Sequence, residues 1–184
     1  MTKNTDNINQ KLATLAGGCF WCIEGAFNQV EGILSATSGY MGGQTTAPTY
    51  KDVCSGETGH AEVVQLNFDP EIISYQEILE IFFTLHDPTQ LNRQGNDIGS
   101  QYRSAIFYHD QLQKNIAENI IQEMDDDKMF EQDIVTNICP AEIFYSGEEY
   151  HQDYVNNNPE NQYCQAVVSP KLAKFRQTFV NKLK

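Results

Sequence analysis

The sequence predicts one α/β (α+β) domain, a mixed sheet packed with helices as a two-layer sandwich, and three observations carry that prediction. Short β-patterned runs alternate along the chain with helical stripes, which gives mixed architectures rather than bundles or sandwiches of strands alone. A length of 184 residues with 40% apolar side chains suffices for one sizeable core. The clearest strand, residues 60–68, and the clearest helix, residues 75–86, follow each other directly.

The elements follow in order. Residues 1–10 are polar and without periodicity, so a disordered tail is expected there, with the domain over 11–184. Leu12 to Ala16 is a short apolar run closed by Gly17-Gly18. Phe20, Ile23, Phe27 and Val30 then fall at helical spacing, so the segment reads as strand, tight turn, helix. From His60 to Phe68 the chain alternates, with Glu62, Val64, Leu66 and Phe68 on one face. Asp69-Pro70 ends that strand. Ser74 and Glu77 form a capping-box pattern ahead of the stripe Ile78, Ile81, Phe82 and Leu85. Tyr102 to Tyr108 reads as a strand, and Asp110 as the cap of a helix carrying Leu112, Ile116, Ile120 and Met124. The acidic run Asp125 to Asp127 reads as a solvated turn. Residues 134–144 look extended around Pro140, residues 148–155 form a short helix, and Leu172, Phe175 and Phe179 mark a terminal one. Two aperiodic stretches, 39–59 and 87–101, read as functional loops because loops so long are uncommon in a compact domain.

Bulk properties exclude several functions. A formal charge of −13, with no cationic cluster large enough to offset it, argues against a nucleic-acid partner. No run of about 18 apolar residues can span a bilayer, and the N-terminus lacks a secretory pattern, so a cytoplasmic protein is expected. Five cysteines, an odd number in a chain of this size, point to reduced thiols rather than a disulfide framework.

The cysteines are therefore the first candidates for chemistry. Cys19 follows a glycine pair at the first turn of a predicted helix, where free N–H groups and the helix dipole favour a thiolate. Cys22, three residues on, makes a Cys-x-x-Cys pair close enough for a disulfide with local adjustment. Zinc would need two more ligands, and Cys54, Cys139 and Cys164 supply no second pair, so no metal is expected. Glu62 shares its strand face with three apolar residues. Desolvation there raises a carboxyl pKa and suits a general acid, whereas a strand end beside the Gly56 to Gly59 loop would leave it exposed. The pair Cys19 and Cys22 alone also fits a thiol–disulfide oxidoreductase or a metal-binding module.

The remaining motifs distinguish these readings. Gly17-Gly18-Cys19-Phe20-Trp21 followed by Glu24, Tyr50-Lys51-Asp52-Val53-Cys54-Ser55-Gly56 with Thr58-Gly59-His60-Ala61-Glu62, His86-Asp87-Pro88-Thr89, Asn92-Arg93-Gln94-Gly95-Asn96-Asp97 and Gln101-Tyr102-Arg103-Ser104 together resemble the A-type peptide methionine sulfoxide reductases. The resemblance runs from about Lys11 to Pro170. It implies that Cys19 attacks the sulfoxide sulfur, that Glu62, Tyr50 and Tyr102 address its oxygen, that Phe20 and Trp21 wall the substrate methyl group, and that Asp97 helps orient the site. It further implies specificity for the S configuration at sulfur, no cofactor, and thioredoxin as reductant. The substrates would be oxidised proteins, peptides or free methionine sulfoxide, and a monomer is expected. The segment Asn158-Pro159-Glu160-Asn161-Gln162-Tyr163-Cys164 resembles the family's resolving region, so Cys164 is expected to be required for full turnover. Cys22 departs from the glycine many members carry there and competes for the same role, with Cys22→Ser expected to retain most turnover. His60, His86 and His151 are expected to be structural hydrogen-bonding residues.

Overall fold

The computed structural model describes residues 10–184. The tail expected over residues 1–10 falls, apart from Gln10, outside the described residues. Eight strands and six α-helices follow in chain order among the described residues: β1 (Lys11–Ala16), α1 (Phe20–Phe27), β2 (Ile33–Met41), α2 (Tyr50–Cys54), β3 (Ala61–Phe68), α3 (Tyr75–Leu85), β4 (Arg93–Gln94), β5 (Asp97–Ile98), β6 (Ala105–Tyr108), α4 (Gln111–Asp126), β7 (Asn137–Pro140), β8 (Tyr145–Ser146), α5 (Tyr154–Asn157) and α6 (Ser169–Thr178).

One six-stranded mixed sheet in the order β7-β6-β1-β3-β2-β8 organises the domain, and β4 and β5 form a separate small hairpin. β3 is central, antiparallel to β1 on one side and to β2 on the other, while β6 and β7 run parallel. The alternation read from the sequence maps onto its two faces. Val64, Leu66 and Phe68 enter the main core with Phe20, Ile23 and Phe27 of α1, while Ala61 and Val63 join a smaller cluster with Met41 and Phe107. The central position explains why Glu62 is buried rather than left at an exposed strand end.

The predicted caps form. Ser74 and Glu77 close a full capping box on α3, and the Asp110 carboxylate accepts the Gln113 N–H at the start of α4. Three elements differ from the sequence expectation. Residues 33–41, not expected as a strand, are β2, and the supposed loop 39–59 contains α2, started by a capping box between Thr49 and Asp52. The strand expected from Tyr102 begins only at Ala105, because residues 100–102 close a 3₁₀ turn. The short helix expected over 148–155 is split into a 3₁₀ turn at 149–151 and α5 by Asp153, whose φ of 53° is left-handed.

Candidate active site

Cys19 occupies the N-cap of α1 without making a capping hydrogen bond of its own. The cap comes from the neighbouring strand instead, where Glu62 Oε2 of β3 accepts the Phe20 N–H at 3.1 Å. The turn that delivers Cys19 requires glycine at position 18. Its φ is 86°, and a Cβ there would stand 2.7 Å from the Gln94 side chain, which itself clasps the Asp87 backbone.

Cys19, Trp21, Tyr50, Glu62, Asp97, Tyr102 and Tyr163 line one pocket of about 150 Å³. Larger concavities along α3 and α6, lined by Phe83, Phe130 and Phe179, contain no thiol. Glu62 is 1% exposed, and burial pushes its carboxyl up to about 8 despite the opposing Phe20 N–H. At neutral pH it is therefore a proton donor. Tyr50 and Tyr102 are likewise held in their protonated forms, by burial first and by Glu62 second. Tyr50 starts α2, where its N–H donates to Glu148 Oε2 at 3.1 Å, and Glu148 also accepts from the hydroxyls of Tyr40 and Tyr150.

The thiols depart from expectation. A thiolate was expected at Cys19, but burial pushes the Cys19 thiol up, with the hydrogen bond to Cys22 and the charge of Glu62 acting in the same direction. Only the Trp21 N–H opposes them, since the Phe20 N–H already serves Glu62. Desolvation outweighs the helix terminus, and resting Cys19 is a thiol. Cys22 moves the other way, lowered chiefly by the hydrogen bond from Cys19. Cys164 is 1% exposed, and the thiol whose charge reaches it is Cys22 rather than Cys19. It opens a π-helical turn, Cys164–Val168, that runs straight into α6. Neither Cys22 nor Cys164 lines the pocket.

Phe20, expected in the methyl wall, lies one layer behind it, buried and stacked on Tyr50 at 6.3 Å between ring centroids. Trp21 does face the pocket. Its Nε1–H donates to His151 Nδ1 at 3.2 Å, and its ring lies 3.8 Å from that of Tyr154, nearly parallel. Asp97 accepts the Tyr163 hydroxyl at 2.6 Å, so it fixes a phenol of the pocket rim. Tyr163, Tyr154 and His151 were not singled out as pocket residues from the sequence. The aromatic density of residues 145–163 was the available signal, but it gives no partner until the fold brings α1 alongside. His86 bridges the Phe82 carbonyl and the Ser104 hydroxyl and stays neutral, with burial pushing it down to about 4. His60 spans the Gly43 N–H and the Thr45 carbonyl. Among the described residues, no three His, Cys, Asp or Glu side chains converge as metal ligands.

A thiol sharing a small pocket with a protonated carboxyl and two phenols fits a thiol-based oxidoreductase. Sequence comparison gives the family. The profile of peptide methionine sulfoxide reductases matches residues 11–183, and the chain belongs to that family. It is 53% identical to the peptide methionine sulfoxide reductase of Natronomonas pharaonis over 171 residues, covering 93% of this chain and 96% of that one. Among solved structures it resembles Mxr1 from Saccharomyces cerevisiae in reduced form, with TM-score 0.79, 37% identity, and 86% and 91% of the two chains covered. It also resembles Mxr1 in complex with Trx2, with TM-score 0.56, 27% identity, and 81% and 87% covered.

Proposed function

We propose that this chain reduces methionine S-sulfoxide, free or in oxidised proteins, with Cys19 as nucleophile and Glu62 as general acid. The single observation that carries the reading is the buried, protonated Glu62 carboxyl sharing a pocket with Cys19, Tyr50 and Tyr102. Disulfide exchange has no use for three convergent proton donors, whereas a sulfoxide oxygen leaves sulfur only once protonated.

The Cys19 sulfur attacks the sulfoxide sulfur while the Glu62 proton passes to the sulfoxide oxygen, with Tyr50 and Tyr102 donating to that oxygen. Oxygen ends on Cys19 as a sulfenic acid, methionine leaves as the thioether, and the Cys19 proton restores Glu62. Trp21 walls the methyl group, backed by Phe20, and Asp97 holds Tyr163 at the rim. The hydrogen bond between Cys19 and Cys22, and the influence of Cys22 rather than Cys19 on Cys164, support a relay. Cys22 attacks the sulfenic sulfur and water is released; Cys164 then exchanges to a Cys22–Cys164 disulfide, freeing Cys19. A dithiol protein reduces that bridge in turn. The likeness to a yeast relative solved with Trx2 supports thioredoxin in this role. The relay gives Cys22 a larger share than its sequence position suggested. The proposal is of a monomeric, cytoplasmic repair enzyme that needs no cofactor beyond its reductant.

The test incubates the protein with each sulfoxide epimer of a methionine peptide plus dithiothreitol. Reduction of the S epimer alone is expected; inertness toward both epimers, or preference for R, overturns the reading. Peptide mapping after one turnover without external reductant is expected to recover a Cys22–Cys164 bridge, and a Cys19–Cys164 bridge alone would remove Cys22 from the relay.

A further inference from the structure

Glu24 belongs to the motif that begins at Gly17, yet it takes no part in the chemistry above. It is 2% exposed on α1, and its Oε1 accepts the Asp153 N–H at 3.0 Å across 129 residues of sequence. The Tyr154 N–H and the Ser38 hydroxyl face the same carboxyl, which burial pushes up to about 7. Asp153 adopts φ 53° and ψ 35°, a left-handed conformation uncommon for a non-glycine residue, and that turn leads into Tyr154. Tyr154 lies against the Trp21 ring, 3.8 Å away with 4° between the planes.

Trp21 and Glu24 are three residues apart on α1 and share a helix face. Residues 151–154 are therefore held twice by one helix, through the indole N–H on His151 and through the carboxyl on the Asp153 turn. An apolar side chain of the same size would fill the space. A buried carboxyl differs in requiring donors from one direction, so it selects one docking of the segment over a range of similar ones.

We propose that Glu24 is a positioning residue: by anchoring the Asp153 turn it sets Tyr154 against the Trp21 indole and so fixes the wall on which the sulfoxide methyl group packs. The inference rests on the sulfoxide reading of the pocket, and it deepens that reading by naming what holds the wall in place. Glu24 touches no reacting atom, so its loss should weaken substrate capture rather than the chemical step.

The decisive contrast is Glu24→Gln against Glu24→Met. Both are uncharged and similar in volume, but only glutamine keeps an acceptor for the Asp153 N–H. For a peptide sulfoxide with dithiothreitol, the methionine variant should raise KM about tenfold. Its saturating single-turnover rate, and both parameters of the glutamine variant, should stay within about threefold of wild type. Trp21 is the only tryptophan in the chain, so its emission reads the stack directly. That emission should change in the methionine variant and not in the glutamine variant. Wild-type KM and emission in Glu24→Met, or equal impairment in Glu24→Gln, overturns the proposal. Should Glu24→Met fail to fold, Tyr154→Leu removes the stack directly; it should raise KM and alter emission likewise, and wild-type values there also overturn the proposal. A wild-type protein inert toward sulfoxides would sink the functional reading, while the emission contrast would still decide the role of Glu24.

Discussion

The two sides of the pocket are built by different means. The side proposed to meet the sulfoxide oxygen is held by a central strand, a capping box and a closed turn. Glu62 projects from the central strand, Tyr50 starts a helix capped by Thr49 and Asp52, and Tyr102 closes a 3₁₀ turn. The side that carries the thiols stands on element ends, with Cys19 at the N-cap of α1, Cys22 in its first turn and Cys164 opening a π-helical turn. A proton donor works best when it does not move, because preorganised donors need no reorganisation as charge develops. Thiols that must change covalent partners need backbone that can shift. π-helical turns are rare and occur frequently at functional sites.

Breaking the thiol side at its first member has the largest expected effect. Cys19→Ser should abolish sulfoxide reduction, measured as methionine formed per enzyme, because no other residue is proposed to form the sulfenic acid. Breaking the oxygen side comes next. Glu62→Gln should slow the single-turnover rate by roughly 10²–10⁴-fold, the usual contribution of a general acid. The wild-type rate should also fall as pH rises through about 8, where Glu62 loses its proton, and the variant should lack that limb. A variant rate within about twofold of wild type would assign Glu62 a structural role.

Cys164→Ser separates the two sides. Its first equivalent of methionine should form at the wild-type rate, since the oxygen side is untouched, and turnover with thioredoxin should then stall. Continued turnover would show that Cys22 alone passes oxidation to the reductant. The smallest effect is on stability. The folded-state pKa of Glu62, about 8, lies above its ordinary 4.5, so between those values the native chain binds a proton that the unfolded chain has lost. Stability from this group therefore falls as pH rises through that window. Glu62→Gln removes the loss, so its melting temperature relative to wild type should rise from pH 6 to pH 9. A pH-independent difference would contradict the assignment.

Much of the oxygen side was legible in the sequence because its signals are local. Alternation over 60–68 puts Glu62 on the face of Val64, Leu66 and Phe68 but leaves open whether it is buried or at an exposed strand end; only the central place of β3 in the sheet decides for burial. The Ser74–Glu77 and Asp110 caps are legible because they too are local, each resting on residues three apart. β2 was not legible, since Ser35, Ser38 and Gly39 break any alternation. Gly39 is small because Phe144 and the Tyr145 carbonyl pack where its side chain would be, a contact more than a hundred residues away in sequence. α2 was hidden by its length of five residues. On the thiol side the sequence located the cysteines but not the balance between them, because a helix start argues for a thiolate at Cys19 and only the closed pocket reveals that burial prevails.

The protonated state of resting Cys19 bears on survival under the conditions in which methionine becomes oxidised. Peroxide reacts with thiolates, and a buried thiol beside an acidic carboxyl offers it little. On the proposed mechanism, the raised pKa of Cys19 makes the resting thiol a poor entry to the irreversible sulfinic and sulfonic stages, and its nucleophilicity is drawn on only by a sulfoxide that brings its own oxygen to be protonated.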